Sequence, residues 1–273
     1  MDLPTKAALL RRLHLGPEIL VLPNAWDAAS ARIFEQAGFP ALATTSAGIA
    51  FAHGYPDGER ISRNEMLDAV RRIAAAVQIP LTADMEAGYG PSIADAEETA
   101  HGVLAAGAVG LNFEDAREGR LLDAAVYVER LRAMRRVADD VHVPLVINAR
   151  TDMFLLGVGA AETRLAETIR RANLYCEAGA DCVFVPGVRE AEAIDQLVRA
   201  IRGPLNILAG PGVPSAAALQ QLGVARVSTG SGPVRASMSF AQRLAIELRN
   251  TGTYGAFSEG AIAYAEANRL MEQ

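Results

Sequence analysis

Pro80-Leu81-Thr82-Ala83-Asp84-Met85-Glu86-Ala87-Gly88 decides how this chain is read. A proline and a short apolar run lead straight into two acids and a glycine. A similar order returns twice: Val109-Gly110-Leu111-Asn112-Phe113 runs into Glu114-Asp115, and Leu145-Val146-Ile147-Asn148-Ala149 into Arg150-Thr151-Asp152. Each apolar run reads as a buried strand, and ionised groups at the ends of several strands are what an α/β barrel uses to build an active site. Carboxylates gathered at one rim repel one another. At ~4 Å and an effective dielectric near ~20, one like-charged pair costs roughly 4 kcal/mol. A few such pairs would rival the roughly 5–15 kcal/mol stability of a domain. Converging acids of this kind need a cation, and oxygen ligands favour Mg2+, with Mn2+ as the alternative.

Working outward, short apolar strands alternate with amphipathic helices, which implies a parallel sheet. The strands fall at 19–22, 41–44, 81–84, 110–113, 145–149, 182–185, 205–209 and 226–229. The helices fall near 27–37, 63–78, 92–106, 124–140, 162–178, 191–201, 215–221 and 233–249. The helix near 92–106 opens on a capping box, Ser92 with Asp95, and ends before Gly107. Strands two, four, six and eight are preceded by Gly38, Gly107, Gly179 and Gly223; strands three, five and seven by Pro80, Pro144 and Pro204. A glycine can turn left-handed to stop a helix and a proline cannot continue one. The alternation suggests a barrel of paired units. The expected architecture is a (β/α)8 TIM barrel over residues 1–250, with a C-terminal helical extension over 251–273. In that extension, residues 259–271 read as a helix with Ile262, Ala265, Leu270 and Met271 as apolar contacts. It packs on its own barrel or on a neighbouring subunit.

Composition agrees and excludes. A barrel of this kind typically needs ~250 residues, and the chain has 273, of which 51% are hydrophobic. No stretch approaches the ~18 apolar residues of a membrane span, and Met1-Asp2-Leu3-Pro4-Thr5-Lys6 does not read as a secretory signal. Cys176 and Cys182 sit in apolar surroundings without metal-ligand spacing, which fits buried thiols in a reducing cytoplasm. The net charge of −6 offers no basic patch for nucleic acid. Lys6 is the sole lysine and precedes every strand, so Schiff-base chemistry, which needs a lysine amine in the site, is not expected.

Several loops at the C-terminal end of the strands could carry chemistry. Thr44-Thr45-Ser46-Ala47-Gly48 holds small residues whose backbone N–H groups could approach an anion, although an ordinary turn has the same look. The long connection that follows carries His53, Gly54, Tyr55, Pro56, Asp57 and Gly58, and connections of that length are often functional. Asp84 and Glu86 share a face of an extended backbone. Arg150 offers a planar fork for a substrate carboxylate, or a structural ion pair with Asp152 or Glu114. Asn206 is a polar residue within an apolar run and could reach a substrate oxygen or a neighbouring residue. His14, His101 and His142 fall on or near helices; His53 is the histidine on the functional side.

Taken together, Thr45-Ser46-Ala47-Gly48, Gly54-Tyr55-Pro56-Asp57, Ala83 through Gly90, Gly110 through Asp115 and Ile147 through Asp152 resemble the isocitrate lyase / phosphoenolpyruvate mutase superfamily over roughly residues 18–250. The resemblance implies a (β/α)8 barrel, a homo-oligomer (dimer or tetramer) with an exchanged terminal helix, Mg2+, and a small 2-oxo or 2-hydroxy acid passing through an enolate-type species. It further implies that Asp84 is the direct metal ligand, with Glu86, Glu114 and Asp57 holding waters around the ion. Ser46 with the backbone of Ala47 and Gly48 would bind the α-carboxylate or enolate oxygen, and Arg150 and Asn206 the remaining oxygens. The departures matter as much. The lyases carry a catalytic cysteine in a loop where this chain has Asp115-Ala116-Arg117-Glu118-Gly119-Arg120, and the mutases an asparagine-bearing loop that is also missing. Pro186 stands where lyases place a glutamate and mutases a histidine, and Glu86 replaces an aspartate. What remains is an Mg2+-dependent lyase, by decarboxylation or by C–C cleavage with a metal-held water, Glu118 or His53 as base. The rivals are a 2-oxo acid binder and a P–C mutase or phosphate-binding barrel using Gly210-Pro211-Gly212 and Gly230-Ser231-Gly232.

Overall fold

The computed structural model describes residues 1–258 and 260–272. Its sheet has nine parallel segments: β1 (Leu20–Leu22), β2 (Asn24–Ala25), β3 (Leu42–Thr44), β4 (Leu81–Asp84), β5 (Gly110–Glu114), β8 (Val146–Arg150), β9 (Cys182–Val185), β10 (Leu205–Leu208) and β11 (Arg226–Ser228). β6 (Ala116–Arg117) and β7 (Arg120–Leu121) form a small antiparallel hairpin of their own. β1 and β2 are two halves of one stave, broken at Pro23, which has no N–H to give a ladder. The first half pairs with β11 and the second with β3, so the sheet closes into eight staves. The architecture is the expected (β/α)8 TIM barrel, and the division of the first stave is what the sequence reading did not see.

Helices cover the outside: α2 (Ala28–Gln36), α4 (Arg63–Ala76), α5 (Ile93–Ala105), α6 (Ala124–Asp140), α7 (Ala161–Glu177), α8 (Ala191–Ala200), α9 (Ala216–Gln221) and α10 (Gly232–Thr251). The Ser92 capping box of α5 is present in both directions. The four joint glycines, Gly38, Gly107, Gly179 and Gly223, all adopt φ between 88° and 104°, the left-handed turn that explains their half of the alternation. α1 (Leu3–His14) closes the bottom of the barrel. A methyl group at Gly110 would lie 2.9 Å from Leu10 Cδ2 and from Thr82 Oγ1 and 3.0 Å from the Val146 carbonyl oxygen, so glycine there lets the helix and both neighbouring strands approach.

A short helix, α3 (Ser46–Ala52), starts immediately after β3, where the sequence suggested only a loop. The C-terminal extension also differs from expectation. α11 (Gly255–Ser258) and α12 (Tyr264–Met271) replace the single helix expected over 259–271, whose first residue lies outside the described ones. Of the four expected apolar contacts only Leu270 is buried, while Ile262 and Met271 are exposed. α12 lies against α2 of its own barrel, where Arg32 Nη1 donates to the Leu270 carbonyl at 2.9 Å. α10 is the unsupported element: Val234 is its one buried residue, and Met238, Phe240, Ile246 and Leu248 face outward. Among the described residues, no helix is long and apolar enough to cross a membrane.

Candidate active site

A cavity of about 580 Å³ opens at the C-terminal end of the strands. Asp57, Glu59 and Arg60 reach it from the α3–α4 connection, Glu86 from the turn after β4, Glu114 from the end of β5, and Arg150 from the end of β8. Arg117 and Glu118 of the β6–β7 hairpin and the apolar pair Leu155 and Leu156 complete its walls. Strand register explains the convergence. Glu114 is paired with Arg150 and Asp84 with Asn112 in adjacent staves, so side chains two residues apart along β5 meet partners at two successive depths.

Asp84 is nearly buried and does not line that cavity. Its Oδ2 accepts from the Ser46 N–H at 3.0 Å and the Ser46 hydroxyl at 2.8 Å, and its Oδ1 from Asn112 Nδ2 at 3.3 Å. The Asp84 N–H donates to Thr44 Oγ1 at 2.8 Å. The Ser46–Gly48 segment is thus the first turn of α3, capped by Thr45, whose hydroxyl receives the Gly48 N–H at 3.3 Å. Only glycine fits at position 48, because a Cβ there would meet Thr45 Cγ2 at 2.5 Å and Trp26 Cβ at 3.0 Å. The expected three-residue anion cradle is therefore narrower than anticipated. The N–H groups of Ser46 and Gly48 are engaged, and that of Ala47 has no acceptor among the described residues.

Glu86 points toward the α3–α4 connection. Its Oε2 accepts the Glu59 N–H at 2.6 Å and its Oε1 the Tyr89 hydroxyl at 3.2 Å. Glu59 in turn accepts the Tyr89 N–H at 2.6 Å and pairs with Arg117 Nε at 3.2 Å. The methylene gained over an aspartate is what carries the Glu86 carboxylate to that loop. Glu59, Glu86, Tyr89 and Glu118 all have positive φ, between 48° and 56°, a conformation costing on the order of 1–3 kcal/mol for a residue with a Cβ. Strain of this kind concentrates where function requires a fixed geometry.

Arg150 is held by both neighbouring acids. Nη1 donates to Glu114 Oε1 at 2.5 Å, Nε to Asp152 Oδ1 at 2.6 Å and Nη2 to Asp152 Oδ2 at 3.2 Å. Beneath it Asp115, fully buried, accepts from the Asp152 N–H at 2.9 Å, the Tyr175 hydroxyl at 2.6 Å and Arg171 Nη1 at 3.2 Å. Arg150 makes the ion pair that the sequence left open, and makes it with both Asp152 and Glu114. Asp115, Glu59 and Tyr89 are site-shaping residues to which the sequence assigns no separate part. Only the acid-rich context of the strand ends could have signalled them.

Two expected residues and one expected loop lie elsewhere. Asn206 is fully buried and bonds Ser228 Oγ on the adjacent stave at 3.2 Å, so it takes the neighbour-binding role and does not reach the cavity. His53 ends α3 and shares its Nδ1 with the Ile49 carbonyl at 2.9 Å. The Gly230 loop of the phosphate-barrel alternative spends the N–H groups of Thr229 and Gly230 on Asn24 Oδ1, at 2.8 and 2.9 Å. In place of an acid after β9, Pro186 is followed by Gly187 at φ +91°, whose Cβ would meet the Leu155 backbone at 2.8 Å.

The acids feel one another. Burial, then the charges of Asp57 and Asp84, push Glu86 up to about 7. Asp57 is raised by burial in the cavity mouth and by Asp84. Burial raises Glu114 well above the ordinary carboxylate range; Arg150 opposes this, and Asp152, Asp84 and Glu86 add to it. Burial works against the Arg150 charge, yet Glu114 and Asp152 more than compensate and raise it. One consequence is measurable. A carboxyl whose folded value is raised binds more protons folded than unfolded, so its contribution falls as pH rises. From the Glu86 shift, the metal-free protein should lose stability between pH ~4.5 and ~7, by at most about 3 kcal/mol. Urea unfolding in EDTA at stepped pH checks this, and a rise in stability over that window would contradict it.

Does this donor set suit a divalent cation? Among the described residues, no three acidic, histidine or cysteine side chains already form a chelate. The chemistry nonetheless fits a hard ion. Every donor is an oxygen, the acids raise one another, and Mg2+ commonly keeps several waters with one or two protein carboxylates. Asp84 would be the direct ligand, and Glu86, Glu114 and Asp57 the acids beside it.

The chain matches the phosphoenolpyruvate phosphomutase profile over residues 10–249. An uncharacterized protein of Mycobacterium tuberculosis strain H37Rv is 38% identical over 226 residues, 83% of each chain. An oxaloacetate decarboxylase of Bradyrhizobium diazoefficiens is 29% identical across 74% of this chain and 70% of its own. Among solved structures, oxaloacetate acetylhydrolase in complex with oxalate superposes with a TM-score of 0.87 at 25% identity, covering 99% of this chain and 95% of that one.

Proposed function

The chain belongs to the phosphoenolpyruvate mutase / isocitrate lyase superfamily, and from that premise we propose that it is an Mg2+-dependent carbon–carbon lyase or decarboxylase of a small 2-oxo or 2-hydroxy carboxylate. One observation supports this reading most: Asp84, fixed by Ser46 and Asn112, sits below a cavity whose acids raise one another and whose principal buried cation is Arg150. A bound divalent ion would supply polarisation of the 2-oxo or 2-hydroxy oxygen. The protein's own groups do the rest. The Ala47 N–H, which has no acceptor among the described residues, would face one substrate oxygen, while the Ser46 hydroxyl is spent on holding Asp84. The Arg150 guanidinium, fixed by Glu114 and Asp152, would offer charge to the other.

Pro186 removes the acid or base that related enzymes place after the sixth stave, and this favours decarboxylation. The bond to the departing carboxylate breaks, CO2 leaves, and the electron pair moves onto the 2-oxo oxygen to give an enolate that a proton then quenches. No general base is needed. Retro-aldol cleavage of a 2-hydroxy acid needs one, and Glu118, which lines the cavity and lies on the β6–β7 hairpin, is the side chain we assign to it. The test is pyruvate and CO2 release from a panel of 2-oxo and 2-hydroxy diacids, with Mg2+ and with EDTA. Turnover indifferent to EDTA would overturn the metal role; tight oxalate binding with no turnover on any member would make the protein a binder.

The exposed apolar residues of α10 support a further part of the reading, that the active form is a homo-oligomer in which this helix packs on a second copy. Light scattering should report more than one chain mass, and Met238→Glu with Ile246→Glu should reduce it to one.

A further inference from the structure

Arg226 is fully buried, yet no carboxylate lies within hydrogen-bonding distance of it among the described residues. Its side chain crosses the barrel from β11 to β5, the stave opposite in the sheet order. Nη2 donates to Asn112 Oδ1 at 3.3 Å, Nη1 lies 3.4 Å from His14 Nε2, and Nε has no partner. Asn112 Oδ1 also accepts Asn148 Nδ2 at 2.8 Å, which fixes the amide so that its Nδ2 faces Asp84 Oδ1. A charge crosses the barrel floor and ends, two hydrogen bonds later, on the central acid.

Burying an unpaired cation costs several kcal/mol, and its immediate neighbours do not offset that. Burial and the Arg226 charge push His14 down to about 3, so it is neutral. Cys182, on β9, is pushed by burial up to about 12 and is neutral as well. Burial lowers Arg226 itself to about 10, which leaves it ionised, and Asp84 is the carboxylate that acts to hold it so. The surplus of negative charge at the rim is the one feature of the barrel that complements a cation beneath it.

We propose that Arg226 is the internal counter-ion of the acidic rim, a positioning residue that orients Asn112 toward Asp84 and offsets repulsion among the acids. The inference shares with the proposed function only its reading of Asp84 as the central acid, and its first readout needs no metal. In EDTA, the melting temperatures of wild type, Arg226→Gln, Asp84→Asn and the double variant form a cycle. Arg226→Gln should lower the melting temperature by about 5 °C or more, and by at most half as much when Asp84 is already Asn. Arg226→Lys, which keeps the charge, should retain the wild-type coupling to Asp84. Equal losses in both backgrounds would overturn the proposal. If Arg226→Gln does not fold, the double variant should; failure of both would overturn it too. The second readout is Mg2+ binding at pH 8.5, which should be severalfold tighter in Arg226→Gln because a repelling charge is gone. A generic packing defect would not tighten it. A wild type that ignores Mg2+ would sink the metal reading and leave the cycle to judge Arg226.

Discussion

Asp84→Asn is expected to lower kcat/KM by about 1000-fold or more while leaving the metal-free fold within about 1 kcal/mol of wild type. The first half follows from the chemistry. On the proposed function Asp84 would be the direct carboxylate of a cation that stabilises a developing oxyanion, so its loss would forfeit several kcal/mol, and about 4 kcal/mol is a thousandfold in rate. The second half follows from two opposed effects. The substitution relieves repulsion, since Asp84 raises Asp57, Glu86 and Glu114. Against that, an amide cannot satisfy both sides of the site. Its oxygen can accept from Ser46 N–H and Oγ, but its nitrogen then faces Asn112 Nδ2, donor against donor. Asn112 cannot flip to help without losing Asn148 and Arg226 on its oxygen. Steady-state kinetics with Mg2+ and urea unfolding with EDTA measure the two halves separately. Activity within tenfold of wild type would remove Asp84 from the mechanism.

That amide conflict marks the boundary of what sequence could show. The staves, their order and the acids at their ends are local patterns. Apolar runs end in Asp84, Glu114 and Arg150, and a glycine or proline precedes most strands, so periodicity and turn chemistry suffice. Side-chain direction inside the closed barrel is not local. Arg226 lies in Ala225-Arg226-Val227-Ser228, which reads equally well with the arginine pointing out to solvent. Only closure of the sheet through the broken first stave puts it opposite Asn112. Glu86 failed the simple reading for a related reason. Spacing placed it beside Asp84 on an extended strand, but β4 ends at Asp84 and the φ of Glu86 is +48°, which turns its carboxylate to Glu59. Asn206 shows the same limit from the other side: a polar residue in an apolar run meets Ser228 across the ladder rather than a ligand.

Arg150 is where stability and chemistry separate most sharply. Arg150→Ala is expected to destabilise the protein by about 3–5 kcal/mol, because it leaves Glu114 and Asp152 buried without their shared cation. Their side chains are only 14% and 4% exposed, so water cannot replace it. Part of that loss should return at low pH, where Glu114, already raised by burial, takes up a proton. Arg150→Lys keeps the charge but not the fork. One ammonium cannot reproduce the three bonds to Glu114 Oε1 and the two Asp152 oxygens while also serving a substrate. It should therefore regain most of the stability yet remain about 100-fold below wild type in kcat/KM. If Lys restored activity as fully as stability, the guanidinium would be a structural tie between two staves and the substrate's second oxygen would need another partner. Arg60 and Arg117, both lining the same cavity, would then be the next to replace. Arg117 is already committed to Glu59, which makes Arg60, on the long connection after α3, the stronger of the two.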